Sequence, residues 1–368
     1  MIVRLAWRSI WRNRRRTLIT MVSIALGLAI AIFFIAMAEG VYSQIVDEAV
    51  RMQAGHVTLE NPAYQTAPSV DLTITVPGDL RERIQRMDTV DQTKLLILGQ
   101  GVANSGAGGV GVSMMGVEPS SEERTSPLAR HIILGDYLED SDDRKVVLGE
   151  HLAGQLKVQI GNKIVLTTNN AQGQLVEELC RVKGIFRTGS SEIDGYLIQI
   201  PITFARHVFG LGIRDATQMG ILLKRPGDQE AAMEALTRLC RSKHMAVLGW
   251  QEVLPEVASY IRLDRVSNWV FQGLLFMIIL FTILNTLLMS VVEREREFAV
   301  LQALGTPPAQ LQRQLFMESA FIGGLGCLLG TVTGGASALA LQVWGWDMAS
   351  LMPEGVTISG FAVSTTIH

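Results

Sequence analysis

The sequence predicts an α-helical transmembrane bundle with three spans, joined to a large α+β extracytoplasmic domain made of two interleaved subdomains. Three observations predict it. The windows Thr17 to Ala38, Trp269 to Val292 and Ser319 to Trp344 are almost free of charge, and each reaches the ~20 residues needed to cross a ~30 Å hydrocarbon core. The region between the first two windows is too long for a loop and long enough to bury a core of its own. Arg4, Arg8, Arg12, Arg14, Arg15 and Arg16 precede the first window with no acid among them, which keeps the N-terminus cytoplasmic and places the large domain outside.

Residues 1–16 read as an interfacial amphipathic helix. Val3, Trp7, Ile10 and Trp11 recur at helical spacing beside the stripe Arg4, Arg8, Arg12 and Arg16, which sets indoles at headgroup level and guanidiniums toward anionic lipid. The alternative is a positive flank with no fixed structure. Residues 17–38 form the first span. Ala36-Met37-Ala38 resembles a signal-peptide cleavage site, but the apolar run exceeds the roughly 7–15 residues of a secretory core, so the segment is read as retained.

Residues 39–266 alternate strand and helix signals in irregular order. Period-two runs at Val70–Val76, Lys163–Thr167 and Tyr196–Ile200 predict strands, and apolar residues at helical spacing predict helices at Gly78–Met87, Leu148–Leu156, Ile202–Phe209 and Asp228–Ser242. The glycine-rich run Gly99–Gly116 reads as a mobile loop flanking a strand. It has neither a GxGxxG register nor a GxxxxGK[ST] pattern, so no phosphate cradle is expected. Cys180 and Cys240 read as two buried thiols, with a disulfide between them as the alternative in an oxidising compartment.

Residues 267–292 form the second span, 293–318 a cytoplasmic turn, and 319–344 the third span. Gly326, Gly330 and Gly334 stand four apart in that third span, a spacing that lets membrane helices approach closely. Residues 345–368 then lie outside again.

Several chemistries have no signature here. Neither HExxH nor GxSxG occurs, and the histidines and cysteines show no metal-ligand spacing. His56, His131, His151 and His207 sit in ordinary helix or strand patterns and read as structural. The basic cluster abuts a span without a nucleic-acid-binding module, so no nucleic acid is expected. No catalytic residues, metal or cofactor are assigned to this chain.

The cytoplasmic turn is the informative segment. In "FAVLQAL", Phe298 to Leu304, only Gln302 is polar, so a helix there is apolar almost all round and needs a groove. Burying Phe298, Val300, Leu301 and Leu304 contributes ~1.5–3 kcal/mol each, well above an exposed charge pair. Gly305 suits the position just past a helix, Thr306 a cap and Pro307 the first position of the next helix. Glu293, Arg294, Glu295, Arg296 and Glu297 alternate in sign and can pair with opposite charge at i,i+3, which stiffens the exit from the second span.

The segment "NTLLMSVVEREREFAVLQALGTPPAQLQRQLFMESAFIGGLGCLLG", Asn285 to Gly330, resembles the signature region of FtsX-like permeases, the membrane subunits of ABC transporters that include the LolC/LolE lipoprotein-releasing and MacB efflux types. "WRSIWRNRRRTLIT", "GHVTLENPAY", "MGVEP", "VVLGEHLAGQLKVQIGNKIVL" and "VKGIFRTGSSEIDGYLIQIPI" extend the resemblance along most of the chain, the last leaning toward the lipoprotein-releasing branch.

The resemblance implies four spans with a cytoplasmic C-terminus, so a fourth span is missing from this sequence. It implies a separate ABC ATPase in two copies carrying ATP and Mg, and a second permease as homodimer or heterodimer. It implies a place in the bacterial inner membrane with the large domain periplasmic, and force transmission to a lipoprotein or amphiphile without a channel.

By resemblance, Phe298, Val300, Leu301, Leu304 and Gly305 are the docking residues for the ATPase, with Glu293, Arg294 and Glu297 setting its electrostatic fit. Met37, Val41, Tyr42 and Ile45, facing Tyr260, Ile261, Leu263 and Trp269, are the candidate substrate path. The segment "TTNNAQGQLVEELCRVKG" is short where the LolC type carries a hook for a periplasmic carrier, which leaves release to another acceptor open. MacB-type efflux and, as a different class, FtsX-like signalling to an extracytoplasmic hydrolase are the alternatives.

Overall fold

The computed structural model describes residues 14–53, 55–240 and 245–344, together with four two-residue strands between Trp346 and Ile367. Residues 1–13 of the interfacial helix expected at 1–16, and most of the segment 345–368, therefore lie outside the described residues, while Arg14 to Arg16 open the first long helix. Two compact units emerge, one of apolar helices and one spanning Ser43–Tyr260.

Helix α1 (Arg14–Met52) runs unbroken for 39 residues, about 58 Å at ~1.5 Å per residue and nearly twice a hydrocarbon core. Its last turns, from Ser43, belong to the α+β unit. That unit continues with β1 (Val57–Glu60), β2 (Ile74–Thr75), α2 (Gly78–Gln85), β3 (Val90–Ser105), β4 (Gly108–Val117), α3 (Pro119–Thr125), β5 (Ile132–Gly135) and β6 (Lys145–Gly149). Then come α4 (Glu150–Leu156), β7 (Lys163–Asn169), β8 (Leu175–Phe186), α5 (Ser191–Tyr196), β9 (Leu197–Pro201), α6 (Ile202–Phe209), β10 (Asp215–Ala216), β11 (Gln218–Leu223), α7 (Gln229–Cys240), β12 (Ala246–Gly249) and α8 (Trp250–Val253).

Ten strands share one hydrogen-bonded network. Strands from both ends of the unit make an open flank, β12–β1–β11–β3, all antiparallel. Strands from the middle close a ring of pairings, β3–β4–β9–β6–β8–β7 and back to β3. The long strand β3 serves both, pairing through Val90–Leu96 with β11 and through Gly101–Asn104 with β7. One continuous core fills the unit, with Leu59, Ile84, Ile97, Ile221 and Leu236 toward the flank and Leu148, Leu152, Leu166, Ile198 and Phe209 toward the ring.

The run Gly99–Gly116 is not a loop. It is most of the β3–β4 hairpin, paired residue by residue from Leu96 opposite Val117 to Ser105 opposite Gly108. Gly116 and Gly101 serve close approach: a Cβ on Gly116 would lie 2.4 Å from Ala205 Cβ of α6, and one on Gly101 2.6 Å from the Thr167 carbonyl oxygen. The run Val70–Val76 is strand only at Ile74–Thr75, paired with Asp215–Ala216, because turns precede it and Pro77 ends it. Cys180 and Cys240 are separate buried thiols. Burial pushes the Cys180 thiol up to about 12, which leaves it unreactive.

The segment "TGSSEIDG" is a structural cradle. The Asp194 carboxylate accepts from Thr188 N–H at 2.9 Å, from the Thr188 hydroxyl at 2.8 Å and from Gly189 N–H at 3.3 Å, while Ser190 caps α5 through Ile193 N–H.

The helical unit contains the first part of α1, α9 (Pro255–Glu293) from Ile261 onward, a short α10 (Glu295–Ala303) and α11 (Pro308–Trp344). α1, α9 and α11 are long and apolar enough to cross a membrane, with mean hydropathy of 2.7, 2.5 and 1.6 in their most apolar windows. α1 touches both of the others. Against α9, Gly27 lies under Ile279, the Thr20 hydroxyl donates to Thr286 Oγ1 at 3.3 Å, and Phe34 meets Phe271 edge-on at 6.3 Å. Against α11, Gly326, Gly330 and Gly334 are buried, and Cβ atoms there would lie 2.8–3.0 Å from Ile24, Ala25, Leu28, Ala29 or Ile32. The glycine stripe is thus the seat of α1 on α11, inside one subunit.

Candidate functional site

The turn between α9 and α11 is built from two sharp corners. At the first, α9 stops at Glu293 and Arg294 leaves the helical region, with φ −108° and ψ 11°, before α10 begins. At the second, Gly305 takes φ +90°, its N–H bonds the Gln302 carbonyl at 2.9 Å, and Thr306 N–H bonds the Leu301 carbonyl at 3.0 Å. This paired closure satisfies two of the orphan carbonyls of α10 and needs a residue that tolerates the left-handed region. α11 starts at Pro308, so Pro307, not Thr306, holds the capping position. The second proline shifts the start by one residue, since the ring of Pro308 disfavours the helical region for the residue before it.

Between the corners α10 shows its apolar side chains to the outside. Val300 is 60% exposed, Leu301 37% and Leu304 78%, while Phe298 is half-buried. Arg294 differs from the sequence expectation. It is 12% exposed and bonds Glu318 of α11, also 12% exposed, at 3.1 Å and Glu297 at 3.2 Å, with its guanidinium 5.3 Å from the centre of the Phe298 ring. Arg294 therefore ties α10 to α11 from within, and Glu293 is the more exposed charge of the turn. Glu318 was missed because its partner lies 24 residues away; a lone carboxylate early in an apolar helix was the available signal.

Arg294→Met and Glu318→Gln are each expected to lower the melting temperature of the purified protein. The double variant should cost little more than either single one, with a coupling of ~0.5–3 kcal/mol in a double-mutant cycle.

The candidate substrate-path residues do not share one environment. Met37 and Val41 are half-buried, Tyr42 and Ile261 are buried, and Leu263 and Trp269 are about 70% exposed. In the α+β unit Ile45 is buried and Tyr260 half-buried. Tyr42, Ile45 and Ile261 are thus closed off by packing, and Leu263 and Trp269 are the freely presented side chains.

Tyr42 belongs to a polar clasp that the sequence reading did not find. Its hydroxyl donates to Asp264 and accepts from Asn268 Nδ2 at 2.9 Å. Arg265 lies 5.8 Å from its ring centre and bonds Glu39 at 3.2 Å. The clasp ties α1 to α9, and the polar pair Asp264 and Asn268, one helical turn apart near the start of an apolar helix, was its signal.

Among the described residues, no group of three or more His, Cys, Asp or Glu side chains is placed to hold a metal ion. His56 is buried and its Nδ1 accepts from Leu223 N–H at 3.2 Å, while burial pushes its pKa down. That keeps it neutral and structural.

Comparison with known proteins gives the frame for this geometry. The family model of the MacB-like periplasmic core domain matches residues 17–239, and that of the FtsX-like permease C-terminal region matches residues 269–367. The lipoprotein-releasing system transmembrane protein LolC of Neisseria meningitidis serogroup B is 27% identical over 88% of this chain and 78% of its own length. The lipoprotein-releasing system transmembrane protein LolE of Haemophilus influenzae is 22% identical over 92% of this chain and 83% of its own length. The pyoverdine export ATP-binding/permease protein PvdT of Pseudomonas putida is 24% identical over 91% of this chain and 52% of its own length. With both family models matching in order around the three apolar helices, the chain is a membrane protein that belongs to the FtsX-like ABC transporter permease family and carries a MacB-like periplasmic core domain.

Proposed function

We propose that this chain is the membrane subunit of an ABC transporter that couples ATP hydrolysis in a separate partner subunit to the extraction of lipoproteins or other amphiphiles from the outer leaflet of the inner membrane. The observation that carries the reading is collinearity with lipoprotein-releasing LolC and LolE proteins over about nine-tenths of the chain. The exposed apolar face of α10 between two fixed corners supports the presence of a cytoplasmic ATPase partner. In this reading two ATPases hold ATP and Mg and close together, α10 receives the push, and α1 and α9 carry it outward as stiff helices longer than the bilayer. Two permeases, identical or related, complete the machine, and a periplasmic acceptor takes the substrate. Val300, Leu301 and Leu304 dock the ATPase with Phe298, Gly305 sets the corner, Glu293 and Glu297 face outward, and Arg294 fixes the turn.

A second reading, export of periplasmic small molecules or peptides, is favoured by the MacB-like domain and by the similarity to a pyoverdine export protein. The test is reconstitution with the ATPase in proteoliposomes containing a labelled lipoprotein. ATP-dependent release of the label is expected. ATP hydrolysis that leaves the lipoprotein in place while a soluble peptide is transported, or while an added hydrolase is activated, would replace the leading reading.

A further inference from the structure

The last carbonyls of a helix need donors from outside it. At the end of α1, Gln53 N–H reaches the Ala49 carbonyl at 3.0 Å and Gly55 N–H the Val50 carbonyl at 2.9 Å. The carbonyl of Arg51 accepts from the Lys94 ammonium of β3 at 2.6 Å. Lys94 is 1% exposed, and its Nζ lies 3.7 Å from the carboxylate of Glu122 on α3, also 1% exposed. Glu122 in turn accepts from Gln199 Nε2 of β9 at 3.5 Å, and Gln199 Oε1 accepts from the Tyr137 hydroxyl at 2.7 Å. A buried polar chain thus runs from the last turn of α1 through β3 and α3 to β9.

Stability alone gives no reason for this arrangement. Well-packed apolar residues in place of a buried ion pair are commonly as stable or more so, whereas stranding one buried charge is strongly destabilising. Burial pushes the Lys94 ammonium down and the Glu122 carboxyl up, and the charge of each opposes the shift of the other. The apolar neighbours on α1, Ile45, Ala49 and Val50, are buried, but such contacts are non-directional and permit sliding. The ammonium does not, because it points at one carbonyl at the negative end of a helix.

We propose that Lys94 and Glu122 are positioning residues that lock the domain end of α1 to β3 and α3, so that axial displacement of α1 moves the α+β domain instead of slipping against it. The inference rests on the reading of this chain as part of an ATP-driven machine, but not on which substrate is moved.

The full chain, co-expressed with its ATP-binding subunit and placed in lipid nanodiscs, is followed by hydrogen exchange with and without nucleotide trapped by vanadate as ADP-vanadate. In the unaltered protein, amides of residues 45–53 are expected to exchange slowly in both states; an acceleration of about tenfold or more on trapping overturns the proposal without any variant. The double variant Lys94→Met with Glu122→Leu removes both charges together. It is expected to melt within a few degrees of the parent, because relief of two buried charges offsets the loss of the donor to the Arg51 carbonyl, and to hydrolyse ATP at the parental rate. Its residues 45–53 should exchange about tenfold faster in the trapped state only, with substrate release lost. Parental exchange and parental release in this variant overturn the proposal, and if the variant does not fold, the unaltered protein decides alone. A complex that never releases lipoprotein but keeps the exchange contrast sinks the substrate reading and leaves the lock standing.

Discussion

Leu301→Asp is expected to remove the ATPase from the purified permease while leaving membrane insertion intact. Leu301 is 37% exposed beside Val300 and Leu304, which are more exposed still. Burying the part of Leu301 that is still exposed recovers roughly a third of the ~1.5–3 kcal/mol of a fully buried leucine. A carboxylate in the same place loses that gain and adds a desolvation penalty. The sum weakens association by about 100-fold or more, since each ~1.4 kcal/mol is tenfold. Co-purification on a tagged ATPase, followed by titration in nanodiscs, measures it. Gln302→Asp, one residue along on the same helix, is the matched control and should bind within a few-fold of the parent. ATPase binding at parental affinity by Leu301→Asp removes α10 from the interface.

Gly330→Val should prevent α1 and α11 from seating together. A Cβ at position 330 would lie 2.8 Å from the Ala25 carbonyl oxygen, 2.9 Å from Leu28 Cβ and 3.1 Å from Ala25 Cα. Two of these atoms are backbone, so no rotamer change relieves the contact and the helices must separate. Overpacking of a close seat costs ~1–3 kcal/mol and sometimes more, and here it also breaks the adjoining contacts of Gly326 and Gly334. The expected result is a melting temperature in detergent lower by several degrees, with a larger aggregated fraction on size exclusion. Gly335→Val, one residue past the stripe with nothing within 4 Å, should melt close to the parent. Equal melting of the two variants would show that the α1–α11 contact contributes little.

The parts of this protein legible in the sequence are those where physics acts locally. A bilayer taxes every charge within its thickness, so three uncharged windows are visible without any contact being known. The end of α10 was legible because Gly305 meets a backbone requirement that few residues satisfy. The helices at Gly78–Gln85, Glu150–Leu156, Ile202–Phe209 and Gln229–Cys240 follow their own periodicity. The hairpin at Gly99–Gly116 was illegible because glycine marks both loops and close approach. Only the placement of α6 and β7 shows which applies.

By itself, then, the sequence determined the three apolar helices found among the described residues, the existence of a large α+β domain, the corner at Gly305 and the resemblance to a permease family. Each follows from composition, period or local backbone need. The tertiary structure alone decided that Arg294 turns inward to Glu318, that Tyr42 closes onto Asp264 instead of lining an open path, and that Lys94 ends α1 from another element. These outcomes depend on which distant group arrives to satisfy a charge or a carbonyl, and the energy of such a meeting is set by burial and distance, which no short window of sequence contains.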